Sequence, residues 1–255
     1  MKRIRLDRVF ITWSTKEQMI LKNLSLTLAS GELCMVVGRV GSGKSSLLLT
    51  LLGELPIACG QCHCNGRMSY AAQEPWLFAG TVRDNIIFGG QFEPDRYKEV
   101  VRVCCLEQDF ASLIVGDQTE VGERGVSLSG GQKARVNLAR ALYQEADIYL
   151  LDDPFSAVDT QVARHIFDES VRNFLKGKTV LLATHQLQFL GYADKVLLLS
   201  SASVSVFGTL DDVAKSEAFS SIRYGKEAFE EAIRHSVVNN QVELGNITGH
   251  PSENG

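Results

Sequence analysis

A chain of 255 residues, 45% hydrophobic and 22% charged, has the composition of an ordinary soluble globular domain and the length for one full core. Its 26 basic and 30 acidic side chains leave a formal charge of -4, so no basic field grips a nucleic-acid backbone and nucleic acid is not an expected partner. The most apolar stretch, Leu47 to Leu55, is broken by Thr50, Gly53 and Glu54 and falls short of the roughly 20 residues that cross a bilayer; no apolar segment follows the basic N-terminus, so neither a span nor a secretory signal is expected and the domain is read as cytosolic.

Residues 4 to 13 and 20 to 28 alternate β-formers with polar residues, which predicts two antiparallel strands joined by the polar turn Ser14 to Gln18. Leu33-Cys-Met-Val-Val37 is a continuous apolar run, as in a strand buried on both faces, and it feeds a glycine loop and a helix from Lys44 to Leu52. Six cysteines follow at 34, 59, 62, 64, 104 and 105. The run Cys59-Gly-Gln-Cys-His-Cys64 invites a zinc reading, but zinc needs four converging ligands and no second Cys/His pair follows at metal spacing. Residues 62, 64, 66 and 68 alternate instead as one strand running into Met68-Ser-Tyr-Ala-Ala, with Cys62 and Cys64 on one face. Between Gln73 and Ser129 helical patterns replace buried strands, among them Pro94 to Cys105 with proline in the first turn, and this stretch is read as a helical insertion. Cys104 and Cys105 end that helix as reduced, partly buried thiols. A helix from Gly131 to Tyr143, a strand at Ile148 to Leu151, a helix from Thr160 to Leu175 and a strand at Val180 to Ala183 then alternate, which implies a mainly parallel sheet with crossover helices. Lys195 to Leu199 and Val204 to Phe207 read as a hairpin. Lys226 to Val238 carries Phe229, Ile233 and Val237 at helical spacing; the polar tail from Asn239 is expected to be disordered, and its Asn246-Ile-Thr248 sequon is a chance match in a cytosolic tail.

Gly38-Arg-Val-Gly-Ser-Gly-Lys-Ser45 has the spacing of a phosphate-binding loop. Backbone N–H groups of Gly38, Val40, Gly41, Ser42 and Gly43, with the start of the helix at Ser46, can close around phosphate oxygens, while Lys44 neutralises charge and the Ser45 hydroxyl is placed to hold Mg2+. Folding alone requires no such sequence. Downstream stand Leu128-Ser-Gly-Gly-Gln132 and Ile148-Tyr-Leu-Leu-Asp152, a buried strand that delivers Asp152 to the sheet edge, where it can orient water around Mg2+.

The whole ordered set resembles the nucleotide-binding domain of ATP-binding-cassette transporters over roughly residues 4 to 220. Leu128 to Arg140 and Asp152-Asp-Pro-Phe-Ser-Ala-Val-Asp159 resemble, within it, the first nucleotide-binding domain of the C subfamily, the group of the multidrug resistance-associated proteins. The resemblance implies an α/β P-loop NTPase (RecA-like) core of mainly parallel sheet, with an antiparallel β subdomain and an α-helical insertion, binding ATP and Mg2+. It divides the chain into an ATP-binding core at 1–73 and 141–222, a helical subdomain at 74–140 carrying the signature, and a tail at 223–255. It makes Gln73 the Q-loop glutamine, a neutral amide able to coordinate Mg2+ or water and to withdraw when the insertion rotates. Ser129, Gly130, Gly131 and Gln132 become a second anion site at a helix start, which meets the γ-phosphate of ATP bound to a partner domain. Asp152 is then the Walker B aspartate, Ser156 to Asp159 the D-loop, His185 the switch histidine that holds the γ-phosphate, and Trp13 an aromatic stacked on adenine. Taken alone, Trp13 also reads as a core aromatic, Gln73 as a solvated loop residue and His185 as a structural histidine. Pro75, Trp76, Leu77 and Phe78 form an apolar patch that either packs in the insertion or faces a transmembrane coupling helix.

One position departs from the family pattern. After Asp152 the competent sites place a glutamate as general base, and this chain has Asp153, one methylene shorter. A base displaced by about an ångström costs on the order of a hundredfold in rate, so ATP binding with feeble hydrolysis is expected. The reading is the first ATP-binding domain of an exporter of organic anions or drugs, part of a longer membrane protein, on the cytosolic face of the plasma membrane, monomeric in isolation. Its partners are a second nucleotide-binding domain and transmembrane coupling helices. Two alternatives stand beside it: a nucleotide-gated regulatory module, as in the subfamily's chloride channel, and a soluble ATPase of DNA repair or translation, which calls for coiled-coil insertions or a basic surface that the sequence lacks.

Overall fold

The computed structural model describes residues 2–13, 19–122, 125–200 and 203–216. The turn at Ser14 to Gln18, the helix at Lys226 to Val238, the polar tail and the sequon lie outside the described residues. In chain order the elements are β1 (Lys2–Thr12), β2 (Met19–Ala29), β3 (Leu33–Gly38), α1 (Lys44–Leu51), β4 (Ile57–Cys64), β5 (Met68–Ala71), the two-residue β6 (Gly80–Thr81), α2 (Val82–Ile87), α3 (Pro94–Val103) and α4 (Glu107–Ser112). There follow β7 (Glu120–Val121), α5 (Gly130–Tyr143), β8 (Ile148–Asp152), α6 (Thr160–Ile166), β9 (Thr179–Ala183), β10 (Lys195–Ser200), β11 (Ser203–Gly208) and α7 (Leu210–Ala214).

Nine strands join one sheet in the order β4-β1-β2-β11-β10-β3-β9-β8-β5. From β10 to β5 every pairing is parallel, and β1 with β2 and β4 forms the antiparallel end. Alternation explains both regions. In β1 and β2 the buried Ile4, Leu6 and Ile11 face Leu28, Leu26 and Leu21 across the ladder while their polar neighbours face out. In the parallel strands both sets are apolar. Cys34 and Val36 join one cluster with Leu47, Leu48, Leu150 and Leu181, whereas Met35 and Val37 join the other with Tyr149, Leu151 and Leu182. A strand covered on both faces must be apolar throughout, and that is why it reads as a continuous run.

Local signals set the helix starts. Thr81 with Asp84, Ser129 with Gln132 and Thr209 with Asp212 make capping boxes, Asp159 accepts from the amides of Gln161 and Val162, and Pro94 opens α3. Three expectations are corrected. The strand foreseen through residues 62 to 68 stops at Cys64, because Gly66 turns with φ 130 and a Cβ there would lie 2.6 Å from the Asp147 Cβ; β5 then leaves for the far edge beside β8. The helix foreseen to Leu175 is α-helical only to Ile166 and π-helical over Phe167–Phe174, a widening that accompanies Phe167 stacked on Phe189 at 4.2 Å. Cys104 is wholly buried rather than partly so, and α3 ends before Cys105, whose φ is 55. Among the described residues no helix is long and apolar enough to cross a membrane.

Candidate functional site

Parallel strands present all their carboxyl ends along one edge, and ligands of such sheets sit outside that edge. Here β3 ends at Gly38, β9 at Ala183 and β8 at Asp152, with Val36 opposite Ala183 and Ala183 opposite Asp152 in register. The glycine loop, His185, Asp152 with Asp153, and Gln73 beyond β5 therefore emerge side by side in the order β3, β9, β8, β5.

The loop from Gly38 to Gly43 is shaped by close backbone approach. A Cβ on Gly38 would lie 2.5 Å from the Leu199 carbonyl and 2.5 Å from Ser42 Oγ, and Gly43 has φ 99 with Leu21 Cδ2 2.8 Å from where its Cβ would stand. Ser42 N–H donates to the Arg39 carbonyl at 3.1 Å and bends the loop back. Val40 stands 88% exposed at its tip, beside exposed Gly41 with φ 80. No side chain caps the start of α1, so the amides around Ser45 and Ser46 are open to an anion. Lys44 is buried, its Nζ donating to the carbonyls of Gly38 at 2.9 Å and Arg39 at 3.3 Å; burial lowers its pKa while Asp153 and Asp152 oppose the shift.

Asp152 closes β8 with 2% exposure. Burial chiefly raises its pKa, the Ser45 hydroxyl donating to it pulls the other way, the Asp153 charge raises it further, and Lys44 and Tyr70 lower it. The Tyr70 hydroxyl lies 3.5 Å from Asp152 Oδ2, and burial with that carboxylate pushes the phenol up to about 12. Asp153 is buried with φ 44, its N–H donates to the Ala183 carbonyl at 2.8 Å, and its Oδ1 is a buried acceptor with no hydrogen-bond partner. Ser42 Oγ is orphaned in the same way. Two orphaned polar atoms, a buried lysine and an uncapped helix start fit a magnesium nucleotide: the loop and Lys44 can hold phosphates, and Ser45, Asp152 and Gln73 can serve the metal.

Gln73 and His185 are both exposed, two residues beyond the ends of β5 and β9. The backbone before Gln73 is anchored, since Asn137 of α5 donates to the Ala72 carbonyl at 2.9 Å. Thr184 is buried beside His185, and its Oγ1 accepts from Gln186 N–H at 3.0 Å. Trp13, 57% exposed, follows Thr12, which pairs with Met19 near the Leu21 that touches the loop; its ring is thus no core aromatic.

Ser129 to Gln132 fall elsewhere. Ser129 caps α5, its Oγ accepting from Gln132 N–H at 3.2 Å while Gln132 Oε1 accepts from Ser129 N–H at 2.9 Å; Gln132 Nε2 also donates to Asp109 at 3.0 Å. Gly130 is exposed with nothing near its missing Cβ, and a Cβ on Gly131 would meet the Ala157 carbonyl at 3.0 Å. The motif packs against α4 and the Ser156 to Asp159 segment and opens outward. Trp76, half exposed, rests edge-on against Phe88 at 5.6 Å, with the Arg140 guanidinium 4.4 Å from its ring; the patch packs within the helical region and stays open to solvent. Tyr70 and Asn137 went unread in the sequence, and no spacing signal marks either.

A family model described as ABC transporter matches residues 21–156. The probable multidrug resistance-associated protein lethal(2)03659 of Drosophila melanogaster is 51% identical over 195 residues, covering 76% of this chain and 14% of the relative. ATP-binding cassette sub-family C member 4 of Homo sapiens is 51% identical over 196 residues, 77% of this chain and 15% of its own length. The cystic fibrosis transmembrane conductance regulator of Danio rerio is 46% identical over 212 residues, 83% and 14% respectively. The chain spans about a seventh of the length of these curated relatives.

Proposed function

The chain belongs to the ABC transporter family, and from that premise we propose that it is the first nucleotide-binding domain of an exporter of the multidrug resistance-associated type. It couples ATP binding to export of organic anions or drugs, at the cytosolic face of the plasma membrane. Residues 1–73 with 141–222 form the ATP-binding core, and 74–140 the helical subdomain that meets the coupling helices of the transmembrane part. The observation that carries this reading is the convergence of Lys44, Ser45, Asp152 and Asp153 at one sheet edge, with unpaired buried oxygens on Ser42 and Asp153.

Bound Mg2+ would supply neutralisation of phosphate charge. The chain's residues do the rest. Amides of Gly41 to Ser46 receive phosphate oxygens, and Lys44 exchanges its two carbonyl partners for them. Ser45, Asp152 and Gln73 would hold the metal, His185 would contact the γ-phosphate, and Trp13 would stack on the base. Asp153 stands where a water would be polarised, one methylene short, so the nucleotide works more as a clamp between two domains than as fuel. Ser129 to Gln132 serve the ATP of the second nucleotide-binding domain.

Single-turnover hydrolysis of bound ATP tests the site. Asp153→Glu raises the rate about a hundredfold without tightening ATP binding, and Lys44→Ala abolishes binding. A wild-type chain that hydrolyses as fast as Asp153→Glu overturns the weak-site reading. The similarity to the zebrafish conductance regulator favours a second reading, a nucleotide-gated regulatory module; in that case the full-length protein responds to ATP binding even where Asp153→Glu has no effect on flux.

A further inference from the structure

The antiparallel end of the sheet carries chemistry that nucleotide binding does not use. Among the described residues β4 is the terminal strand, paired only with β1. Its Cys62 and Cys64 stand opposite Leu6 and Ile4, both buried, while Gln61 and His63 alternate to the other face opposite Asp7 and Arg5. The two sulfurs are 4.0 Å apart, half-buried on the apolar cluster that includes Ile4 and Leu6.

We propose that Cys62 and Cys64 form a two-thiolate site for a soft monovalent cation of the Cu(I) class. With the zinc–thiolate length of about 2.3 Å taken as an upper measure, two metal–sulfur bonds placed end to end span about 4.6 Å, so sulfurs already 4.0 Å apart need to part by at most about 0.6 Å. A disulfide is the poorer fit. Same-face neighbours on a strand are about 6.6–6.8 Å apart along the backbone, against a Cβ···Cβ distance of about 3.8 Å in a disulfide, so oxidation would have to break the β1–β4 ladder. Among the described residues no group of three or more His, Cys, Asp or Glu side chains converges, so the site suits a cation content with two soft ligands rather than tetrahedral zinc. The apolar floor of Ile4 and Leu6 keeps water and harder ligands from the inner side. Binding breaks two S–H bonds and forms two S–Cu bonds; both protons pass to solvent and no atom changes oxidation state.

The test is anaerobic titration of the 255-residue chain with Cu(I), supplied as its acetonitrile complex and read against a chromophoric Cu(I) chelator. One equivalent is withheld from the chelator by the wild type and by Cys59→Ser, and none by Cys62→Ser or Cys64→Ser, while Mg-ATP binding is the same in all. X-ray absorption of the loaded chain shows two sulfur neighbours. A second readout needs no variant: Cu(I) protects Cys62 and Cys64, but not exposed Cys59, from alkylation. Retention of copper by the Cys62→Ser/Cys64→Ser double variant, a nitrogen or third sulfur in the absorption spectrum, equal alkylation with and without Cu(I), or a Cys62–Cys64 disulfide formed in place of the complex overturns the proposal.

Discussion

Asp152 sets the electrostatics of the phosphate edge at the scale of one residue. Its pKa is raised from 3.8, first by burial and then by the Asp153 charge, with the Ser45 hydroxyl, Lys44 and Tyr70 in opposition. The folded value lies above the unfolded one, so the native state binds more protons between the two. Asp152's contribution to stability is therefore full below pH 3.8 and lost as pH rises through the folded value. At neutral pH the ionised carboxylate burdens the nucleotide-free fold. Asp152→Asn keeps the shape and an acceptor for Ser45 while removing that charge. It is predicted to raise the melting temperature at pH 7 by about 2–4 °C, to flatten the fall of stability above pH 3.8, and to lose the extra stabilisation that Mg2+ adds to ATP. Thermal melts across pH, with and without Mg-ATP, check all three. A lower melting temperature at pH 7 would mean that attraction to Lys44 outweighs the burial.

At the scale of elements, α5 ties together the two ends that the proposed function assigns to anions. It starts beside its cap Ser129, sends Asn137 to the Ala72 carbonyl just before Gln73, and sends Arg140 to the carbonyl and side chain of Asn85 at 2.7 and 2.9 Å. Asn137 is 5% exposed, so Asn137→Leu leaves the Ala72 carbonyl without its donor in a closed space. The expected cost is about 1–3 kcal/mol in urea unfolding, together with a changed environment at Gln73, read as a weaker Mg2+ dependence of ATP binding. Equal stability and unchanged Mg2+ dependence would show that α5 does not hold the Gln73 segment. Asn137 also marks the limit of the sequence reading. Its partner lies 65 residues away in the chain, and a helical pattern that counts apolar positions sees only Val136 and Leu138 beside it. The buried strands and the glycine loop were legible, because each is written within a few consecutive residues. The end of β4 at Cys64 was not, because period-two alternation continues through a turn that only the approach of Gly66 to Asp147 enforces. Nor was Tyr70, whose place beside Asp152 follows from the pairing of β5 with β8.

At the scale of the whole molecule, the two motifs assigned to ATP in the proposed function point in different directions. The glycine loop, Asp152 and His185 share the carboxyl edge, whereas Ser129 to Gln132 are engaged with Asp109 and Ala157 and open to solvent at Gly130. The capping box satisfies the Ser129 and Gln132 amides, and the exposed Gly130 at this helix start is the side that the proposed function turns toward an anion carried by a second domain. Gly130→Asp separates that role from stability. Position 130 is the first residue of α5, has nothing within 4 Å of a built Cβ and has no positive φ, so an aspartate fits without strain and its charge favours the helix start by about 0.3–1 kcal/mol. The variant is expected to fold at least as stably and to bind ATP at its own loop with unchanged affinity. A second negative charge facing the partner's γ-phosphate nevertheless lowers ATP-dependent closure and turnover of the full-length protein by about a hundredfold, as a repulsion of about 3 kcal/mol requires. Equilibrium unfolding, nucleotide titration of this chain and ATPase assay of the full-length protein read the three quantities separately. Loss of ATP binding by this chain itself would place Gly130 at its own nucleotide, and undiminished turnover would remove the signature from the partner's site.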